Sequence, residues 1–145
     1  DLCRPVGRRG PRMISGGTVQ PPGFTTVFPY LFVDNAPGFC AFLSDGLGFE
    51  EMYRSMDGDR IANAQLRVGD TTIMVSEAGR GFGAMAAIFY IYVADARSAM
   101  DRALTAGAQS IMEVADMPYG DRQGGVRDAW GNIWWISQRL SDGPY

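Results

Sequence analysis

Two halves of this chain are rough copies of each other, and that duplication restricts the fold more than any other property of the sequence. Leu31-Phe32-Val33-Asp34-Asn35-Ala36 aligns with Ile91-Tyr92-Val93-Ala94-Asp95-Ala96: each is an apolar stretch running into an Asp/Asn helix start. Ile73-Met74-Val75-Ser76 aligns with Trp134-Trp135-Ile136-Ser137, each an apolar strand closing its half. The offsets are 60 residues (31 to 91) and 61 residues (73 to 134), and self-similarity at a fixed offset is a statement about architecture. A duplicated unit places equivalent positions around a pseudo-twofold axis. Residues at those positions are therefore expected to face a shared central space.

Local signals give both halves the same element order. Thr25 to Val33 is apolar and aromatic and reads as a buried strand. Asp34 or Asn35 caps a helix with Pro37 in its first turn, where a missing N–H costs nothing. Phe39, Cys40, Phe42 and Leu43 form its apolar face, and Gly46 and Gly48 end it. Strands follow at Phe49–Ser55, Ile61–Val68 and Thr71–Ser76, with Asp57-Gly58 as a hairpin signal and Gly69-Asp70 as a second turn. The second half repeats the scheme. It has a strand over Ala87–Val93, a helix capped by Asp95 with Ala96, Ala99, Met100, Ala103 and Leu104 as its stripe, and a stop at Gly107. Strands over Gln109–Ala115, Gly124–Arg127 and Ile133–Ser137 complete it, with Pro118-Tyr119-Gly120-Asp121 as a loop. The expected fold is α+β: two tandem βαβββ modules forming a cupped mixed sheet with helices outside. Its parts are a disordered or vector-derived leader and arm (1–23), a first module (24–78), a glycine-rich linker (79–86), a second module (87–139) and a tail (140–145).

Composition removes several function classes. A 46% hydrophobic, 20% charged chain is that of a globular protein. A net charge of -3 argues against nucleic acid as partner, because phosphate binding needs a basic surface. The Arg-rich stretch Arg4–Arg12 is too short and too broken by Gly and Pro to reverse this. No apolar run reaches the ~18 residues of a membrane span, and no apolar core with a cleavage site marks a secretory signal, so a cytoplasmic location is expected. Cys3 lies in the leader, and Cys40 reads as a buried thiol acting as a small hydrophobe. The absence of histidine removes the usual Ser-His-Asp and Cys-His designs. Gly79-Arg80-Gly81-Phe82-Gly83 lacks the Lys-Ser/Thr ending of a phosphate loop and reads as a linker or lid.

Two βαβββ units in tandem resemble the vicinal oxygen chelate superfamily, the group of glyoxalase I, extradiol dioxygenases and bleomycin-resistance proteins. The match is closest to its PhnB-like and bleomycin-resistance branches. The resemblance is carried by Pro29-Tyr30-Leu31-Phe32-Val33-Asp34-Asn35-Ala36, by Tyr119-Gly120-Asp121-Arg122, and by Val126-Arg127-Asp128-Ala129-Trp130-Gly131-Asn132-Ile133-Trp134-Trp135. Ala129 stands where branch members usually have Pro. The resemblance implies a homodimer whose clefts form between subunits. It also implies four metal-ligand positions, on the first and last strands of each module. Carried over, these are Phe28, Met74, Ile88 and Trp135, none of which offers the oxygen or nitrogen donor that the usual divalent ions require. No metal and no cofactor are expected. Glu77 and Glu113 are the nearby carboxylates, and two alone make a poor site.

Strand alternation then lines the expected cup with Phe28, Tyr30, Phe32, Met74, Ser76, Ile88, Tyr90, Tyr92 and Trp135, with Tyr119, Asp121 and Arg122 at its rim. The opposite parity (Val27, Leu31, Val33, Ile73, Val75, Phe89, Ile91, Val93, Trp134 and Ile136) packs against the helices. Such a lining suits a flat or greasy ligand, with rings for contact area and phenols for oriented hydrogen bonds. Tyr119-Gly120-Asp121-Arg122 reads either as a gate for a charged ligand group or as a solvent-exposed ion pair worth under ~1 kcal/mol. The leading reading is a metal-independent binding protein of the bleomycin-resistance type, sequestering an aromatic or cationic amphipathic small molecule. Two alternatives stand beside it: a metal-independent isomerase or lyase using Tyr90, Tyr92 or Glu77, and a non-catalytic interaction module with a filled cup.

Overall fold

The computed structural model describes residues 19–145, and within them each half of the sequence builds one mixed four-stranded sheet and one helix. The first unit comprises β1 (Tyr30–Val33), α1 (Ala36–Leu47), β2 (Glu50–Asp57), β3 (Arg60–Val68) and β4 (Thr71–Glu77), with strand order β1-β4-β3-β2. The second comprises β5 (Ile88–Tyr92), α2 (Ala96–Thr105), β6 (Gln109–Asp116), β7 (Asp121–Arg127) and β8 (Ile133–Arg139), with order β5-β8-β7-β6. This is the repeated βαβββ, α+β architecture. In each unit the first strand lies parallel to the last and the other pairings are antiparallel. Tyr30 opposes Met74 in β1–β4 and Tyr90 opposes Trp135 in β5–β8, at the offsets of the sequence repeat. The expectations for the leader 1–12, for Cys3 and for Gly16-Gly17 lie outside the described residues.

Local chemistry sets the element ends. Asn35 caps α1 from a left-handed conformation (φ 61), its side chain accepting from the Gly38 N–H at 3.2 Å, with Pro37 inside the first turn. Gly48 closes α1 at φ 77, a conformation that glycine adopts without a Cβ clash. Asp95 caps α2 by accepting from the Arg97 and Ser98 N–H groups. A matching carboxylate or amide on each closing strand reaches the same helix start in its own unit. Glu77 accepts from the Asn35 and Ala36 N–H groups, both at 2.9 Å. Gln138 accepts from the Ala96 N–H at 3.1 Å.

The apolar parity packs one core. Leu31, Val33, Ile73 and Val75 share one buried cluster with α1 residues Phe39 and Leu43, and Ile91, Trp134 and Ile136 belong to it together with Met100 and Ala103 of α2. The core runs continuously through both units. Phe49 meets Trp134 edge-on at 6.0 Å, and Trp130 lies 5.1 Å from Phe39. Helices α1 and α2 touch each other, whereas no strand of one sheet runs beside a strand of the other.

Three expectations need correction. The first strand begins at Tyr30, not Thr25: Pro29 supplies no N–H for a ladder, and Val27 is 86% exposed instead of core. Strand β7 begins at Asp121, not Gly124, because Asp121 and Arg122 pair with Arg139 and Gln138 of an equally extended β8. Leu104 stands outside the α2 core face, exposed to solvent. Among the described residues no helix is long and apolar enough to cross a membrane.

Candidate ligand-binding cup

Because the apolar parity of each sheet is consumed by its helix, the other parity is left without one. On the second sheet this free face carries Tyr90, Tyr92, Trp135, Gln123 and Ser137. Tyr90, Tyr92, Tyr119 and Tyr145 wall an open hollow over it. At its floor lies Asp121, fully buried. One carboxylate oxygen of Asp121 accepts from Arg139 Nη1 at 2.9 Å, and the other accepts from the hydroxyls of Tyr90 and, at 2.7 Å, Tyr145. Burial works to raise the Asp121 carboxyl, but hydrogen bonds from Tyr90, Tyr145 and Arg139 outweigh it and hold the group below the usual carboxylate range. Burial and the same acidic neighbour push the Tyr90 phenol up. A second polar chain lies beside this one: Tyr119 donates to Gln123, and Gln123 Nε2 donates to Ser137 Oγ at 2.7 Å.

The first sheet has an equivalent but different hollow, lined among others by Tyr30, Phe32, Arg60, Ser76, Glu77 and Phe82. Tyr30 donates to Ser76 Oγ at 2.7 Å, and Ser76 in turn donates to the Ala62 carbonyl at 2.7 Å. Phe82 is carried here by a tight turn, in which Gly79 and Phe82 exchange backbone hydrogen bonds, and it stacks on Phe32 at 4.9 Å with 12° between the planes. No buried carboxylate stands at its floor. A cleft of about 200 Å³ between the units, lined by Pro29, Phe49, Ile73, Ile91 and Trp134 among others, is smaller than the 300–1,000 Å³ usual for ligand sites.

The residues singled out from sequence thus divide. Tyr30, Phe32 and Ser76 meet in the first hollow, and Tyr90, Tyr92, Tyr119 and Asp121 meet in the second. Within one chain they do not form the single shared space that the repeat implied. Phe28 precedes β1 and packs against Phe24 at 5.0 Å, so strand parity does not place it. Ile88 starts the β5 edge and is exposed. Arg122 does not pair with Asp121: it forms an exposed ion pair with Asp116 at 2.7 Å, whose hydrogen bond lowers the Asp116 carboxyl. Arg80 pairs with Asp57, also in solvent. Glu77 spends both carboxylate oxygens on the start of α1, so it is not a free acid or base. Cys40 is buried inside α1, and that burial pushes its thiol up to about 11, which leaves it an inert hydrophobe.

The donor chemistry does not fit a divalent metal. Met74 and Trp135 flank Tyr30 and Tyr90 on the free faces, and neither they nor Phe28 and Ile88 present an oxygen or nitrogen ligand. Among the described residues no three His, Cys, Asp or Glu side chains converge.

Sequence reasoning missed Arg139 and Tyr145, which complete the second hollow, and gave Phe82 only a place in a linker. Arg139 had a signal: it lies two residues beyond Ser137 and so shares its face of β8. Tyr145 had none, since its partners lie 24 and 53 residues away.

Comparison with known proteins gives a consistent result. A family model described as "Glyoxalase/Bleomycin resistance protein/Dioxygenase superfamily" matches residues 24–136. An uncharacterized protein of Mycobacterium bovis is 28% identical over 126 residues, covering 79% of this chain and 83% of its own length. Among solved structures, TioX from Micromonospora sp. ML1 superposes with a TM-score of 0.66 at 23% identity, over 83% of this chain and 100% of that one. TnmS3, an antibiotic binding protein from Streptomyces sp. CB03234, superposes with a TM-score of 0.62 at 16% identity, over 76% of this chain and 91% of that one.

Proposed function

From the premise that the chain belongs to the Glyoxalase/Bleomycin resistance protein/Dioxygenase superfamily, we propose that it is a metal-independent binding protein that sequesters an aromatic small molecule in its tyrosine-lined cup. The observation that carries this reading is the free face of the second sheet. Tyr90, Tyr92 and Tyr119 stand exposed around a buried, hydrogen-bonded carboxylate. Exposed rings grouped over one hollow are surface kept for a partner, because an ordinary strand face would cover them or make them polar. The neighbour TnmS3, an antibiotic binding protein, has the same fold, which is in keeping with small-molecule binding. The donor set favours a site without metal, and the engagement of Glu77 by the α1 start removes one candidate carboxylate from acid–base work. The reading includes a cytoplasmic homodimer in which the two free faces of one chain are each completed by the partner.

A melting screen of the full chain against planar polycyclic aromatics and cationic glycopeptides, with and without EDTA, tests it. One compound class raises the melting temperature, and EDTA leaves both the free and the ligand-bound transitions unchanged. Ligand at 100 times its Kd adds about 2.7 kcal/mol to stability. The proposal fails if no class stabilises the chain, or if stabilisation disappears with EDTA and returns with zinc. Appearance of a chemically altered product would replace it with the isomerase or lyase reading.

A further inference from the structure

We propose that Tyr145 is a self-ligand of the second hollow, and that the molecule which displaces it carries an aryl hydroxyl. This rests on the reading of the free face as an aromatic-binding cup, and it names the chemistry that the cup selects.

Arg139, the last residue of β8, organises the segment that follows it. Its Nη1 holds Asp121 and the Tyr119 carbonyl, while its Nη2 donates to the Gly143 and Pro144 carbonyls at 2.8 and 3.2 Å. One guanidinium therefore folds the segment after β8 back over its own sheet. Tyr145 comes to rest with its ring 4.3 Å from the guanidinium carbon, a cation–π contact. Its hydroxyl donates to Asp121 at 2.7 Å and accepts from the Tyr92 hydroxyl at 2.5 Å.

Tyr145 as a residue nevertheless remains 71% exposed. Tyr145 is held by its hydroxyl and by the face of one cation, and it buries little apolar area, so little hydrophobic free energy keeps it there. Were it to leave, a fully buried carboxylate would lose a donor, the Tyr92 hydroxyl an acceptor and the Arg139 plane its ring. Asp121 would keep Arg139 and Tyr90, but the loss of one hydrogen bond to a buried charge is costly unless it is replaced. Only one arrangement restores all three: a flat ring bearing a hydroxyl with a proton to give. An aryl ether lacks the proton, an aryl carboxylate is repelled by Asp121, and an aryl ammonium is set against Arg139.

The first unit supplies an independent parallel. Shortly after β4 the chain turns back and lays Phe82 on Phe32, which occupies the position of Tyr92 in the repeat. Arg60 holds that return segment through the Glu77 and Ala78 carbonyls at 3.2 and 2.8 Å. Both units thus return an aromatic ring onto their own free face by a segment whose backbone carbonyls an arginine holds. Only the second adds a hydroxyl and a buried acid, so only the second selects for a phenol.

Calorimetric titration of the full chain with 4-ethylphenol and with 4-ethylanisole, its methyl ether relative without a donor, tests the inference in wild type, Tyr145→Ala and Tyr145→Phe. Tyr145→Ala binds 4-ethylphenol about tenfold more tightly than wild type does, because the internal competitor is gone. Tyr145→Phe, which keeps the ring and loses the hydroxyl, also gains. In Tyr145→Ala the ether binds at least about tenfold more weakly than the phenol, and adding Asp121→Asn erases that preference. Equal binding of 4-ethylphenol to wild type and Tyr145→Ala overturns the self-ligand. Equal binding of phenol and ether overturns the aryl hydroxyl and leaves the aromatic cup standing. Binding of neither probe by folded Tyr145→Ala, while a planar aromatic still raises its melting temperature, likewise rejects the inference alone. If no aromatic compound binds at all, the cup itself is rejected with it.

Discussion

Two buried aspartates bracket β7, and their hydrogen-bond partners assign them opposite work. Asp128 accepts from the backbone N–H groups of Trp130 and Asn132, from Asn132 Nδ2 and from Trp134 Nε1, each at 2.9 Å. All four donors belong to the turn that feeds β8 and to β8 itself, so this carboxylate fastens the closing strand and faces no hollow. Asp128→Ala leaves several buried donors without a partner. It is expected to cost about 3 kcal/mol or more, seen as a melting temperature lower by roughly 10 °C. A change within the usual surface range would show that the turn holds by packing alone. Asp121 instead places its oxygens under the tyrosine-walled free face, where hydrogen bonds hold its carboxyl below the usual range. As pH falls, the unfolded chain binds this proton first. The associated stability is therefore complete above about pH 4 and is lost as pH drops through the lower folded-state value. Asp121→Asn removes that component, so melting temperature measured from pH 6 to pH 3 declines less steeply in the variant. Parallel curves would mean that the carboxylate is not the acid-sensitive group.

At the scale of elements, β7 and β8 show why part of the site was legible and part was not. Period-2 alternation and the repeat offset gave the free-face residues of β1, β4, β5 and β8 directly, and the registers Tyr30–Met74 and Tyr90–Trp135 follow those offsets. The start of β7 was not legible. Asp121, Arg122 and Gln123 are polar, and a polar run reads as loop unless the partners that satisfy it are known. Here Arg139, Tyr90 and Ser137 make the run a strand. The glycine pair that follows carries a physical requirement on each face. A Cβ on Gly124 would stand 2.8 Å from the Met100 sulfur of α2, and one on Gly125 would stand 2.5 Å from the Trp135 ring. Gly124 thus lets the helix approach, and Gly125 gives Trp135 a flat seat on the free face. Gly125→Ala is expected to lift Trp135 off the sheet, shifting tryptophan emission and weakening aromatic-ligand binding severalfold, while the helical circular dichroism signal stays unchanged. An unaltered emission spectrum together with unaltered binding would remove Trp135 from the cup.

The whole molecule raises the question of what covers two free faces that its own helices leave open. With α1 and α2 touching and no strand of one sheet beside the other, each cup has one wall in this chain. The edge strands β1 and β5 pair with β4 and β8 on one side; on its other side β1 is partly covered, the Phe32 carbonyl accepting from the Met85 N–H at 3.3 Å, whereas no strand lies beside the outer edge of β5. On β5 that edge carries Ile88, Tyr90 and Tyr92, all exposed. Unpaired, uncharged edges invite pairing unless blocked, and a twofold dimer closes the β5 edges of both chains at once by setting the first unit of one chain against the second unit of its partner. Sedimentation at about 10 µM is then expected to give twice the 15.8 kDa of one chain. Ile88→Lys places a charge on the β5 edge without touching the core, and it is expected to shift the population to monomer with little loss of secondary structure. Because each cup would lose its second wall, the same variant should lose most of the melting increment given by an aromatic ligand. A monomer at that concentration, or an Ile88→Lys chain that still dimerises, would reject this assembly. A monomeric Ile88→Lys chain that kept full ligand stabilisation would show that each hollow binds alone.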